Sequence, residues 1–236
     1  MEAMASLATA MNDLRMGRPV RQHSPSVESF MPYVISQVLD DDRYVVVEKP
    51  NKSINEDFFF PLARGEALTP RLLASKPDPY WVQGPRRGRL PEIFGKHALW
   101  TIKESVRDLI ETLEPSVHNY IPVNLRVRGS SADWGQYYLL VPGQAINAVV
   151  IDDTDFVEGR GRVAYEQDWT LSSFGETVVD GAMIRGRHLW RGAWGQKGES
   201  SPFFGYLFCS DELADRIQRA GIEGWCFRRC KLKQDC

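Results

Sequence analysis

The stretch ALWTIKESVRDLIETLEP, residues 98–115, decides the fold. Ala98-Leu99-Trp100 is a short apolar run, and Thr101-x-x-Glu104 behind it has the form of a capping box, hydroxyl and carboxylate closing free amides of a first helical turn. Ile102, Val106, Leu109, Ile110 and Leu113 then recur at helical spacing, and Pro115 stops the run. Beyond it, Tyr120-Ile121-Pro122-Val123-Asn124-Leu125-Arg126-Val127 reads as one strand with alternating faces. The stretch therefore predicts a strand–helix–strand unit.

Working toward the C-terminus, the arrangement repeats. Tyr206-Leu207-Phe208-Cys209 is apolar, Ser210 stands where an N-cap belongs, and Asp211 and Glu212 suit the positive end of a helix dipole. Leu213, Ile217 and Ala220 form one stripe, Gly221 is placed to end the helix, and Gly224-Trp225-Cys226-Phe227-Arg228 extends again. Between the two units, Tyr137–Val141 and Ala145–Ile151 read as strands joined at Pro142-Gly143. Toward the N-terminus, residues 31–95 alternate short apolar runs with prolines, which predicts strands and loops and no helices. Residues 1–30, broken by Pro19 and Pro25, are expected to be a loosely docked terminus. The expected fold class is α+β, a mostly antiparallel sheet with a few packed helices. Residues 31–95 would form a β- and loop-rich subdomain and residues 96–236 the larger domain.

Composition removes several function classes. Among 236 residues, 29 basic and 31 acidic side chains leave a net charge of −2, so no global field draws the chain onto nucleic acid or anionic lipid. The longest uncharged stretch, Trp134 to Ile151, is broken by Gly135, Pro142 and Asn147 and is no membrane span. The opening residues lack a basic n-region and an apolar h-region, so the expected location is the cytoplasm. Cys209, Cys226, Cys230 and Cys236 contain no C-x-x-C pair and have no histidine nearby, which favours free thiols over zinc or disulfides.

Few strings suggest chemistry. Asp153-x-Asp155 after Val149-Val150-Ile151 copies the paired carboxylates of a metal-dependent phosphohydrolase, but charged Asp152 stands where that motif needs an apolar residue. Gly159-Arg160-Gly161-Arg162-Val163-Ala164 matches a dinucleotide fingerprint in glycine spacing alone. Arg-Gly clusters at 85–89, 159–162 and 185–188, with nearby aromatics, offer an RNA-binding alternative. Gly198-Glu199-Ser200-Ser201-Pro202 lacks the glycine of a nucleophile elbow, and Cys209 lies in an apolar run that disfavours a reactive thiolate. Trp100, Trp190 and Trp225 sit inside apolar runs as core anchors, whereas Trp194 lies in a glycine-rich loop between Arg191 and Lys197. Tryptophan with flanking cations is the composition of a protein-binding centre.

The order of these features resembles a known family: the strand, capped helix and proline-bearing strand; Gln136-Tyr137-Tyr138-Leu139-Leu140 leading to Ala145–Asp152; Gly186-Arg187-His188-Leu189-Trp190; Phe208-Cys209-Ser210-Asp211-Glu212-Leu213; and Gly221-Ile222-Glu223-Gly224-Trp225. It is similar to the bacterial polymorphic-toxin immunity proteins of immunity family eleven, most clearly over residues 90–230. The resemblance implies a non-enzymatic protein that binds and neutralises a cognate toxin encoded by an adjacent gene, with no catalytic residue, cofactor or metal. The candidate partner-binding residues are then Trp194, Arg191 and Lys197 in the loop and Asp152, Asp153 and Asp155 in the acidic turn, which would attract a basic toxin.

Overall fold

A computed structural model of the chain describes residues 30–37, 46–47, 55–64, 66–84, 89–96, 99–158, 169–171, 175–192 and 206–233. Its strands are β1 (Tyr33–Gln37), β2 (Val46–Val47), β3 (Tyr80–Gln83), β4 (Ile93–Lys96), β5 (Leu99–Lys103), β6 (Asn119–Val123), β7 (Leu125–Val127) and β8 (Tyr137–Val141), followed by β9 (Ala145–Ile146), β10 (Phe156–Glu158), β11 (Trp169–Leu171), β12 (Val178–Val179), β13 (Leu189–Gly192), β14 (Leu207–Cys209), β15 (Trp225–Arg229) and β16 (Lys231–Leu232). The α-helices are α1 (Phe60–Arg64), α2 (Pro70–Ala74), α3 (Glu104–Leu113) and α4 (Asp211–Arg219). The fold is α+β and its sheets are mostly antiparallel, as the sequence predicts.

Two sheets carry the architecture. One runs β15-β1-β14-β13-β9 and the other β4-β5-β8-β6. In the second sheet β5 and β6 both pair antiparallel with β8, so the strands flanking α3 are parallel to each other with β8 between them. In the first, β14 and β15 bracket β1 in the same way around α4. Both predicted strand–helix–strand units are therefore present, each split by a strand from elsewhere in the chain, and α3 and α4 contact each other.

Alternation along the strands produces three apolar layers. Trp100 and Ile102 of β5, Leu140 of β8, Ile35 of β1 and Leu207 of β14 meet Val106, Ile110, Leu213 and Ile217 of the helices in a central core. Trp100 and Trp225 pack edge to face there with centroids 5.8 Å apart. On the outer face of the four-stranded sheet, Tyr137, Leu139 and Val141 pack with Phe58, Leu62, Leu72 and Val82. On the outer face of the five-stranded sheet, Val34, Trp190 and Phe208 pack with Val149, Val179 and Ile184. Trp100, Trp190 and Trp225 are all core residues, as predicted. Burial on both faces explains why these strands read as near-continuous apolar runs.

Four local expectations are corrected. Thr101 does not cap a helix: it lies in β5, fully buried, and its hydroxyl donates to the Tyr80 hydroxyl at 3.3 Å. Ile102 likewise belongs to the strand, and α3 starts at Glu104 without a side-chain cap at Lys103. The chain enters the helix directly from the sheet, where Glu104 N–H finds the Gln136 carbonyl at 3.2 Å.

Residues 120–127 are two strands. Asn124 breaks the run, its carbonyl accepting from Tyr80 N–H (2.9 Å) and its side-chain amide donating to Asp78 (2.9 Å). That pulls β7 away from the four-stranded sheet into the three-stranded sheet β2-β3-β7. Nor do 137–141 and 145–151 form a hairpin, because β8 belongs to the four-stranded sheet while β9 joins β13 in parallel. Gly143 N–H donates to His118 Nδ1 at 3.2 Å and directs the chain across. Finally, residues 31–95 do contain helix. Thr69 caps α2 by accepting from Leu72 N–H at 3.1 Å, with Pro70 at the first helical position.

Candidate partner-binding surface

The acidic turn is built from Val149 to Asp155 against residues 176–180. Val149 bridges Val179, Val150 N–H donates to the Val178 carbonyl (2.9 Å), and Asp180 N–H donates to the Ala148 carbonyl (2.8 Å). Ile151–Asp153 then makes a single 3₁₀ turn. Thr154 closes it from inside: it is buried, its hydroxyl accepting from Val178 N–H (3.0 Å) and donating to the Val178 carbonyl (3.3 Å). Asp155 is bonded twice to Glu176, its N–H giving to the Glu176 carbonyl and its carboxylate accepting the Glu176 N–H, both at 2.8 Å.

This clamp holds an outward face in a fixed form. Asp152, Asp153 and Asp155 are exposed, and Ile151 among them is 54% exposed. Among the described residues neither Asp152 nor Asp153 has a hydrogen-bonding or ion-pair partner for its carboxylate, while Glu176 beside them pairs with Lys231. The turn thus exposes one apolar side chain, Ile151, followed in the chain by three exposed carboxylates.

The phosphohydrolase geometry is not what this turn provides. That chemistry needs carboxylates at the end of a parallel strand, whereas 147–150 is not a strand and the Asp155 carboxylate is engaged by a backbone amide. No group of three or more metal-ligating side chains occurs among the described residues.

The other predicted residues are placed differently. Trp194 and Lys197 lie outside the described residues, as does the fingerprint-like run at 159–164. Arg191 is on β13, partly buried, and its guanidinium reaches the Ala63 carbonyl of α1 at 3.5 Å. Burial holds its pKa below the ordinary arginine value. Arg191 thus links β13 to α1. Of the three Arg-Gly clusters, only the last is largely described: Arg185 and Arg187 are exposed, and His188 is drawn inward to Ser210 Oγ at 2.9 Å. Cys209, Cys226 and Cys230 are free thiols. Burial pushes the Cys209 thiol well above its ordinary range and that of Cys230 up to about 12, so neither supplies a thiolate near neutral pH.

One polar constellation went unread in the sequence. Glu114, following the last turn of α3, is buried and accepts four hydrogen bonds: His118 Nε2 (2.9 Å), Gln144 Nε2 (2.8 Å), His188 N–H (3.0 Å) and Leu189 N–H (2.8 Å). His118 Nδ1 accepts from Gly143, which leaves its proton on Nε2 for Glu114. Burial alone would raise the Glu114 pKa, but these donors outweigh it and hold the carboxyl below its usual value. The Glu114-x3-His118 spacing was the available signal. The cluster, centred on the buried Glu114 and His118, joins the end of α3 to β13 of the five-stranded sheet.

The sequence matches the model of the immunity protein family Imm11 over residues 22–232. This chain belongs to the Imm11 family. The match spans both split units and the acidic turn of the Imm11 chain, from before β1 to the end of β16. No curated protein matches it. Among its described residues no helix is long and apolar enough to cross a membrane.

Proposed function

We propose that this Imm11 protein neutralises a cognate toxin, encoded by an adjacent gene, by binding it directly in the cytoplasm without chemistry of its own. The observation that supports this reading is the clamped turn Ile151–Asp155, where an exposed isoleucine is followed by three exposed carboxylates. An apolar centre with a charged rim is the anatomy of a protein interface, and a fixed backbone keeps the ordering cost of binding low. Clustered carboxylates select a basic partner surface, such as one that would hold a nucleic acid or another polyanion, and they speed encounter with it. Trp194 and Lys197 remain candidates for the same contact.

The test is titration of the purified chain with the toxic domain from the neighbouring open reading frame. A stoichiometric complex that abolishes toxicity is expected, and Asp152→Asn/Asp153→Asn should slow association by about tenfold at low salt, with the difference shrinking as salt rises. Neutralisation without a complex would overturn direct binding. A complex whose association rate ignores both substitutions would move the contact off this turn.

A further inference from the structure

The three-stranded sheet β2-β3-β7 ends at β7, and among the described residues no strand pairs with its far edge. Tyr80 N–H donates to the Asn124 carbonyl and Arg128 N–H to the Val82 carbonyl (3.0 Å). Because backbone groups alternate in direction along a strand, Asn124, Arg126 and Arg128 face β3 while Leu125 and Val127 face away. The Val127 carbonyl is taken by Ser130 N–H at 3.2 Å. Among the described residues no backbone partner meets the N–H and C=O of Leu125 or the N–H of Val127; Leu125 lines a cleft, while Val127 is 6% exposed and lies at its margin.

Among the described residues, both edges of the four-stranded sheet are partly covered. On β6, Pro122 has no N–H and its carbonyl accepts from Lys76 Nζ at 2.7 Å. On β4, Ile93 N–H is capped by the Glu223 carbonyl at 3.1 Å. On β7, Leu125 and Arg126 instead line a cleft of about 690 Å³ together with residues 131–136. Trp134 among them packs against the outer core layer, so the cleft has a firm side.

The charges along the cleft choose its occupant. Lys76 and Arg126 line it against a single carboxylate, Asp133, which is turned onto Gly135 N–H at 2.9 Å. Arg128 follows on the outer face of the sheet, stacked 4.7 Å over Trp81, whose strand neighbour is Arg126. We propose that the open edge of β7 takes up an extended acidic segment of a protein partner, which pairs with Leu125 and Val127 as a fourth strand and sets a carboxylate beside Arg126. This surface belongs to a different sheet from the acidic turn, has the opposite charge, and does not depend on the toxin reading.

The experiment is an amide-resolved titration of the full chain with a capped, alternating Glu-Val hexapeptide and with its Lys-Val counterpart. The amides of Leu125 and Val127 should exchange freely in the chain alone and become protected with the Glu-Val peptide, which should bind about tenfold more tightly than the Lys-Val peptide. Arg126→Glu should invert that preference, and Asp152→Asn/Asp153→Asn should leave it unchanged. Equal binding of the two peptides, shifts confined to other regions, no shift at low-millimolar peptide, or an unaltered preference in Arg126→Glu would each overturn the proposal.

Discussion

The unit around α3 and the unit around α4 have the same topology but are specified in different ways. Helix α4 is written in its own sequence. Ser210 Oγ accepts from Leu213 N–H at 3.2 Å, and the helix closes with Gly221 N–H on the Gln218 carbonyl and Ile222 N–H on the Ile217 carbonyl. Those two bonds are a Schellman motif, with Gly221 at a φ of 64° that suits glycine. Helix α3 has neither device. Its start is fixed by the sheet it leaves, and its end by Glu114 reaching β13 of the five-stranded sheet that holds the other unit. One helix is fixed locally and the other by tertiary contacts, so disturbance of the second must propagate farther.

The largest expected effect follows from that difference. Glu114→Ala removes the acceptor of four donors, two buried and two partly buried, and should cost about 4 kcal/mol of unfolding free energy, read by urea denaturation. A loss under about 1 kcal/mol would show that the units dock without it. Glu114 also gives a pH signature. Its folded pKa lies below the unfolded value, so its contribution is full above the ordinary carboxylate range and is lost as pH falls through the folded pKa. The fall in wild-type stability below about pH 4.5 should therefore be shallower in Glu114→Gln than in the wild type.

A second link between the units is a close backbone approach. Gly224, with φ 126°, passes so near β4 that an added Cβ would lie 1.8 Å from the Ile93 carbonyl oxygen. No side-chain movement relieves a clash with backbone, so Gly224→Ala should cost about 3 kcal/mol or more and should loosen the Ile93–Glu223 bond first. Amide exchange at Ile93 checks this. Continued protection of that amide in the variant would mean that the sheets are not held together at this point.

The same contrast explains what the sequence made legible. The strand–helix–strand pattern, the Ser210 cap and the Gly221 terminus were readable because their signals lie within a few residues of each other. The start of α3 was misplaced because Thr101 is drawn to Tyr80, a partner on another strand with no local mark. The splitting strands were unreadable for a related reason: β1 lies far in sequence from β14 and β15, and nothing in Tyr33–Gln37 names them. The acidic turn was visible as a string of aspartates, but its rigidity comes from Thr154 gripping Val178, a pairing without a periodic signal. The β7 edge was hidden because Leu125–Val127 continues the alternation of β6, and only the contacts of Asn124 with Tyr80 and Asp78 separate them.

The smallest effect gives the most direct test of local against tertiary specification. Ser210→Ala removes the cap of α4 and the hydroxyl that meets His188, and should cost about 1–2 kcal/mol. Lys103 occupies the corresponding position before α3 but makes no side-chain cap bond there, so Lys103→Ala should stay within about 0.5 kcal/mol. The two helices carry their stabilising contacts in opposite places, and each variant should show this in the exchange of its own first turn. Leu213 N–H should lose protection in Ser210→Ala, while Glu104 N–H should keep it in Lys103→Ala because its acceptor is the Gln136 carbonyl of the sheet. Equal losses in the two variants would mean that both helices begin by the same device, and the contrast between the units would then rest on Glu114 alone.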